Sequence, residues 1–407
     1  MSPARFSIRY LAGATAVLAL AAIALPALAQ LPTPRTLAEL KEEVQARADR
    51  HAYPVSELAP AEVKEALAKL KSLDRDEWAA AWSAIGDRHL ALGKKAELAE
   101  TASRADASKE YRYAFEYYLF ARFPLENSPG KVKAYGKALD AFAAYAKLQD
   151  PRIDTVRIPF EGKEIVGYLR LPPNVRPAPL VLTIGGLDGR KENASFRNDA
   201  YLAHGVGYLS LDMPGTGQST IRQVVPGAER EFTRVLDWIA TRPDIDAKRV
   251  VVYGGSWGGH WSARLSYTER ARISGAVVQG GPVHEYFQPE WQRKAIGTRE
   301  YLFELFEARS AIYGAKTLEE FLAYGPKMSL KTAGWLDKPS APMLVINGMR
   351  DTQVPVEDLF LLMRSGSPKE VWINPQGGHM GRNAAMSDQG IFEMVTLPWV
   401  VRTLNHR

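Results

Sequence analysis

The sequence predicts an α/β protein: a mostly parallel central sheet with helices on both faces, preceded by an all-helical segment. Three observations lead there. From Asp150-Pro151 onward, eight short apolar runs alternate with turns and helical stretches, the pattern of a buried parallel sheet. Before that point, residues 34–148 are rich in Ala, Leu, Lys, Glu and aromatics, with Pro and Gly mostly at breaks. Within the sheet segment, VVVYGGSWGGHWSARL (250–265) sets four glycines around one serine, a costly composition for any element interior.

At 407 residues the length prior is roughly two to three domains, and 46% hydrophobic with 24% charged residues is a globular composition. The first 29 residues carry Arg5 and Arg9, an apolar run over about 11–25 and Ala27-Leu28-Ala29. This order of basic, apolar and small-x-small predicts an export signal cleaved after Ala29, placing the mature chain in the periplasm or outside the cell. The run is shorter than the ~20 residues a spanning helix prefers, so no stable membrane anchor is expected after cleavage. The absence of cysteine excludes a lipid-modified N-terminus and disulfides. Without the two signal arginines, 50 basic residues face 46 acidic ones. That weak, scattered excess argues against nucleic acid as a partner.

Residues 30–150 read as a helical domain of four to six helices. In LAELKEEVQARADR, YRYAFEYYLFARF and VKAYGKALDAFAAYAKL, apolar residues recur at three- and four-residue steps, and the last two read as an antiparallel pair joined at PLENSPG. No fixed period supports a repeat array. Residues 151–407 form the sheet domain. RIDTVRIPF and KEIVGYLRLP alternate as two strands around Glu161-Gly162. PLVLTIGG, VGYLSLD, RVVVYGG, ISGAVVQGG, PMLVING and EVWINP supply six more. After the sixth strand, residues 283–340 break the rhythm with aromatic, helix-like sequence, read as a helical insertion over one edge of the sheet.

Gly254-Gly255-Ser256-Trp257-Gly258 fits the G-x-S-x-G nucleophile elbow, with a strand before it and a helix after it. A serine hydroxyl needs a histidine base, itself oriented by a carboxylate. In parallel-sheet hydrolases these follow the serine in the order acid, then histidine. Of seven histidines, His51, His89 and His204 precede the serine, His260 lies on its own helix and His406 in the tail. His284 and His379 remain, and only His379 follows the last strand, in NPQGGHMG. Asp351, just past MLVIN in NGMRDTQVP, is the acid, although a turn aspartate capping VEDLFLLM would look similar. Glu285 and Asp337 are weaker acid candidates. For the oxyanion, Trp257 supplies one amide, and Gly186 or Leu187 in TIGGLDGRKE the second. DMPGTGQS (212–219) is read as a structural turn.

The elbow, Asp351 and His379 together resemble the α/β-hydrolase superfamily from about residue 152 onward. The helical N-terminal segment, GGLDGRKE and GGPVHEYF more narrowly resemble the family of the fermentation-respiration switch protein, 2,6-dihydroxypseudooxynicotine hydrolase and fungal polyketide-shortening hydrolases. The resemblance implies a site between the helical (cap) domain and the catalytic sheet domain. It also implies, in some members, cleavage of a carbon–carbon bond next to a ketone with help from an acidic residue after the sixth strand. Glu285 occupies a comparable stretch and is the substrate-binding candidate. The export signal departs from those relatives, which are chiefly intracellular.

The expected activity is that of an exported serine hydrolase, with Ser256, His379 and Asp351 performing acyl-enzyme chemistry on a carboxylic ester of a largely apolar small molecule. The alternatives are a carbon–carbon hydrolase of a β-diketone or aryl ketone using the same triad, and a non-catalytic binding protein on the same fold. No cofactor or metal is expected, since there is no cysteine, no His-x-x-x-His pair and no phosphate loop ending in Lys-Ser/Thr. A homodimer is left open.

Overall fold

The computed structural model describes residues 33–99, 103–366 and 369–405, so the predicted export signal at 1–29 lies outside the described residues. The chain begins with five helices: α1 (Leu37–Asp49), α2 (Pro60–Lys69), α3 (Arg75–Leu98), α4 (Arg104–Ala121) and α5 (Pro129–Lys147). Four start where a side chain relieves the unpaired amides of the first turn. Thr36 makes a capping box with Glu39, Asp74 caps α3, Ser103 caps α4 and Ser128 caps α5. Helices α4 and α5 pack along one another across the break at residues 122–128.

The sheet has eight strands: β1 (Asp154–Phe160), β2 (Lys163–Arg170), β3 (Ala178–Ile184), β4 (Gly207–Leu211), β5 (Ile245–Gly255), β6 (Gly275–Gln279), β7 (Met343–Gly348) and β8 (Lys369–Asn374). Their spatial order is β1-β2-β4-β3-β5-β6-β7-β8. Only the β1–β2 and β2–β4 pairings are antiparallel. Glu161 and Gly162, both at positive φ, make the predicted turn between β1 and β2. The connecting helices are α6 (Lys191–Asn198), α7 (Arg230–Ala240), α8 (Trp257–Thr268), α9 (Pro289–Ile296), α10 (Leu305–Tyr313), α11 (Leu318–Tyr324), α12 (Val356–Met363), α13 (Asp388–Ile391) and α14 (Leu397–Asn405).

Alternation along the parallel strands feeds two cores. Leu180, Leu182, Val250, Val252, Ala276 and Val278 face α7, α8 and α12. Val181, Val251, Tyr253, Val277, Leu344 and Ile346 face Phe392 and, on α14, Trp399, Val400 and Leu404. Both strand faces are therefore apolar, as a sheet covered on both sides requires. The α8 and α7 faces meet through Trp261 and Phe232, both fully buried.

The helical segment is packed onto the sheet, and Pro32–Arg407 forms one compact unit. Phe142 of α5 lies 4.5 Å from Tyr168 of β2, and Tyr145 lies 4.8 Å from Phe196 of α6. The insertion after β6 departs from the expectation of an edge cover. Phe303 packs between Trp78 and Phe123 of the helical segment, while the Ile312 carbonyl accepts the Val224 amide from the loop after β4. It therefore reaches the sheet's middle and the helical layer. Its aromatic residues find more apolar surface there than an edge strand would offer.

Strand order places the site. The connection from β3 leads to β4 on one side, and β5 lies on the other. The loops after β3 and β5 therefore diverge at a topological switch point, where parallel sheets form a crevice at their carboxyl ends.

Candidate active site

Ser256 sits between β5 and α8 with φ 52° and ψ −125°, a backbone conformation that an L-residue adopts only under constraint. Its amide donates to the Gln279 carbonyl of β6 at 2.8 Å, fixing the turn to the neighbouring strand. Two glycines make the bend sterically feasible. A Cβ on Gly254 would lie 2.0 Å from the Gly258 carbonyl oxygen, and one on Gly258 would lie 2.3 Å from the Ile184 oxygen. The strand, the turn and the helix thus meet at distances that leave no space for a methyl group.

His379 stands opposite. Its Nδ1–H donates to Asp351 Oδ2 at 2.8 Å, and its Nε2 lies 2.9 Å from Ser256 Oγ in position to accept the hydroxyl proton. The Asp351 carboxylate is fully buried, and its Oδ1 accepts the amides of Gln353 and Val354 at 2.7 and 2.9 Å. Asp351 therefore both orders its own turn, as a local capping residue would, and orients the imidazole. Asn347 Oδ1 accepts the Met380 amide at 3.1 Å, and Met380 itself adopts a positive φ, which tilts the histidine loop back over the sheet. Such a line from carboxylate to imidazole to hydroxyl can carry the serine proton away and return it to a leaving group.

The loop after β3 faces this line. A Cβ on Gly186 would stand 3.6 Å from Ser256 Cβ and 4.0 Å from the Trp257 amide nitrogen. The amides of Trp257, Gly186 and Leu187 donate to no protein acceptor among the described residues, which leaves them free for an oxyanion. The Trp257 ring serves packing: its Nε1 donates to Tyr286 Oη at 2.9 Å, and Tyr286, Phe287 and Tyr313 surround it.

Glu285 follows β6 as predicted, but no contact joins its carboxylate to Ser256, His379 or Asp351. It is partly exposed beside His284, whose Nε2 lies 3.7 Å away. Asp337 is exposed on the insertion. Asp212, in the turn read as structural, is buried; its Oδ1 accepts the Lys191 amide, and its Oδ2 accepts Lys191 Nζ and the Gln218 amide, each at 2.9 Å. Burial opposes its ionisation, but Lys191 and Arg190 outweigh that and hold the carboxyl below its usual range.

His260 is buried on α8 among Trp257, Trp261 and Phe287, with Nδ1–H donating to the Pro282 carbonyl at 3.0 Å. Burial, helped by nearby Arg264 and only partly opposed by the Pro282 bond, pushes its pKa down to about 3. The unfolded chain titrates near 6.5, so below that pH it binds a proton that the folded chain refuses. The neutral ring's contribution is complete above pH 6.5 and is lost as pH falls toward 3. The expected loss between pH 6.5 and 4 is about 3 kcal/mol. Denaturant titrations of wild type and His260→Asn should show a shallower acid slope in the variant, and equal slopes would refute the assignment.

Three neighbouring residues were not legible as site residues. Asp188 Oδ2 accepts the hydroxyls of Tyr53, at 2.5 Å, and Tyr301, at 3.0 Å, joining the β3 loop to the helical segment and the insertion. The Glu300 carboxylate accepts the Thr352 hydroxyl and stands beside Gly378 of the histidine loop. Asp358 accepts the amides of Val283, His284, Glu285 and Tyr286, anchoring the chain as it leaves β6. Only Asp358 left a sequence signal, as one of two adjacent acids, with Glu357, in the otherwise apolar VEDLFLLM. Among the described residues, no group of three or more His, Asp or Glu side chains is placed to hold a metal ion.

Comparison with known proteins gives the chain a family and a fold. Residues 61–375 match the family described as Esterase FrsA-like. Esterase FrsA of Vibrio vulnificus (strain YJ016) is 27% identical over 288 residues, covering 69% of this chain; the match spans 66% of that protein, just under two thirds of its length. Alpha/beta hydrolase psoB of Aspergillus fumigatus is 26% identical over 393 residues, 83% of this chain and 87% of that one. Among solved structures, the 2,6-dihydroxy-pseudo-oxynicotine hydrolase superposes with a TM-score of 0.72 at 18% identity, over 89% of this chain and 96% of that one. AbyA5 does so with a TM-score of 0.67 at 20% identity, over 91% and 95%. At these identities the solved structures establish the α/β-hydrolase fold.

Proposed function

The chain belongs to the Esterase FrsA-like family, and from that premise we propose that it is an exported serine hydrolase that cleaves a carboxylic ester of a largely apolar small molecule. One observation carries the proposal: His379 reaches Ser256 Oγ at 2.9 Å through one ring nitrogen and the buried Asp351 at 2.8 Å through the other. In the proposed reaction Ser256 Oγ attacks the ester carbonyl as His379 Nε2 takes its proton. Asp351 fixes the tautomer and stabilises the imidazolium. The tetrahedral oxyanion is met by the Trp257 amide and by Gly186 or Leu187. His379 then protonates the departing alcohol, and water, activated by the same base, releases the acid and restores Ser256.

Export rests on the basic, apolar and small-residue order of residues 1–29, and assigns the mature enzyme to the periplasm or the medium. A largely apolar substrate is inferred from the aromatic side chains that converge on the loop after β3, where Tyr53 of the helical segment and Tyr301 of the insertion meet at Asp188. Carbon–carbon hydrolysis would use the same three residues, but the partly exposed Glu285 gives that reading no added support.

The test is a fluorophosphonate probe combined with a panel of p-nitrophenyl esters, amides, lactones and β-diketones. The expected result is stoichiometric labelling at Ser256 and highest kcat/KM on the esters. Folded protein that fails to label would favour a binding protein on this fold. Preferential β-diketone turnover, abolished in Glu285→Gln while ester turnover persists, would replace the ester assignment.

A further inference from the structure

We propose that Arg122 and Arg190 are positioning residues, a buried bracket that aims the amides of the loop after β3 at the oxyanion; this deepens, and rests on, the reading of Ser256 as the nucleophile. The loop at residues 185–190 contains three glycines and has little intrinsic rigidity. Its carbonyls, however, are held on one side. Arg190 Nη1 donates to the oxygens of Leu187 at 3.2 Å and Gly189 at 2.8 Å, and Arg122 Nη2 donates to that of Asp188. At the other end, the Gly185 amide is spent on the Leu211 carbonyl at 2.9 Å.

Between these two anchors stand the unpartnered amides of Gly186 and Leu187, against Ser256 and Trp257. Peptide planarity ties each C=O to the N–H that follows it, so the held carbonyls of Leu187, Asp188 and Gly189 fix the peptide planes from Leu187 onward; with the Gly185 amide fixed at the other end, only the two peptides that carry the Gly186 and Leu187 amides lie between the anchors. A flipped peptide here would present an oxygen, rather than a hydrogen, to a developing negative charge.

Both arginines are almost wholly buried, and Glu126 holds them in turn. Arg190 Nη2 grips Glu126 at 2.8 and 3.0 Å, while Arg122 Nε approaches it at 3.7 Å. Asp188 and Asp212 also act on this pair, so the arginines serve here as donors that fix the loop and not as a net charge. Arg122 caps the C-terminus of α4, so the helical segment contributes to the chemistry as well as covering the site.

Arg122→Gln and Arg190→Lys in the full chain test this with a p-nitrophenyl ester and with a trifluoromethyl ketone, whose serine adduct carries an oxyanion. Each variant is expected to lose about 10- to 100-fold in kcat with KM changed less than about threefold. Ketone inhibition should weaken by the same factor, and Arg122→Lys, which keeps the charge and one donor, should recover part of the loss. If Arg122→Gln does not fold, the two lysine variants decide. Folded variants with kcat and ketone affinity within about twofold of wild type, or a loss that follows only the folded fraction, would overturn the bracket. Failure of the nucleophile assignment is separate: there, Ser256→Ala itself would retain turnover.

Discussion

Ser256→Ala is expected to lower kcat for a p-nitrophenyl ester by a factor on the order of 10⁴ to 10⁶, His379→Ala by about as much, and the double variant by no more than either alone. The serine oxygen and the histidine nitrogen are two ends of one 2.9 Å contact and act on a single proton. Once the nucleophile is gone the base has nothing to activate, and without the base the hydroxyl stays protonated at its ordinary, unreactive pKa. Residual turnover should survive through the free amides of the elbow and the β3 loop, which still favour an oxyanion formed by water attack. The measurement is kcat under saturating ester for the three variants, with near-UV circular dichroism to establish that each is folded. Losses that multiply in the double variant would mean that the two residues act in independent steps. Asp351→Asn should fall between wild type and these variants. An amide can still accept the Gln353 and Val354 amides, but its NH₂ cannot stabilise the imidazolium.

The sequence exposed the parts of this site that depend on chain order and omitted those that depend on close approach of distant segments. The elbow was legible because a strand cannot turn into a helix around a serine at positive φ without glycines beside it, and Gly254 and Gly258 stand where the backbone leaves no room for a side chain. Asp351 and His379 were legible because each directly follows a strand, and parallel strands deliver their following loops to one edge of the sheet. The eight strands were readable for a related reason. Burial on both faces makes each central strand a continuous apolar run bounded by turns.

The bracket on the β3 loop was not readable. Arg122 and Arg190 are separated by the whole of α5 and the first three strands, and an arginine in sequence is by default a solvated charge. Asp188, Tyr53 and Tyr301 meet only because the helical segment and the insertion converge over that loop. The insertion's path was misjudged for the same reason. Its aromatic residues announced burial, but what they pack against, Trp78 and Phe123, lies far earlier in the chain. Glu285 was placed by the resemblance after the sixth strand; its partly exposed carboxylate lies 3.7 Å from His284, and its part in substrate binding rests on the Glu285→Gln comparison.

Gly258→Ala and Gly254→Ala are expected to cost more than about 5 kcal/mol each and to yield little folded protein, because their methyl groups would meet main-chain atoms that cannot retreat. The Cβ on Gly258 would stand 2.3 Å from the carbonyl oxygen of Ile184, the last residue of a central strand paired on both sides. That on Gly254 would stand 2.0 Å from the carbonyl oxygen of Gly258, in the first turn of α8. Relief in either case requires moving α8 away from β3 and β5, which would open the core around Trp257 and Trp261 and carry Ser256 away from His379. Gly136 provides the comparison within the same chain. It lies exposed inside α5, and a Cβ there would meet nothing within 4 Å, so Gly136→Ala should stabilise by roughly 0.5–1 kcal/mol through the lower entropy of the unfolded chain. Denaturation midpoints and soluble yield for the three variants decide the matter. Elbow variants with wild-type stability would mean that α8 tolerates a displacement, and an elbow so tolerant could not hold its serine at the strained φ on which the proposed attack depends.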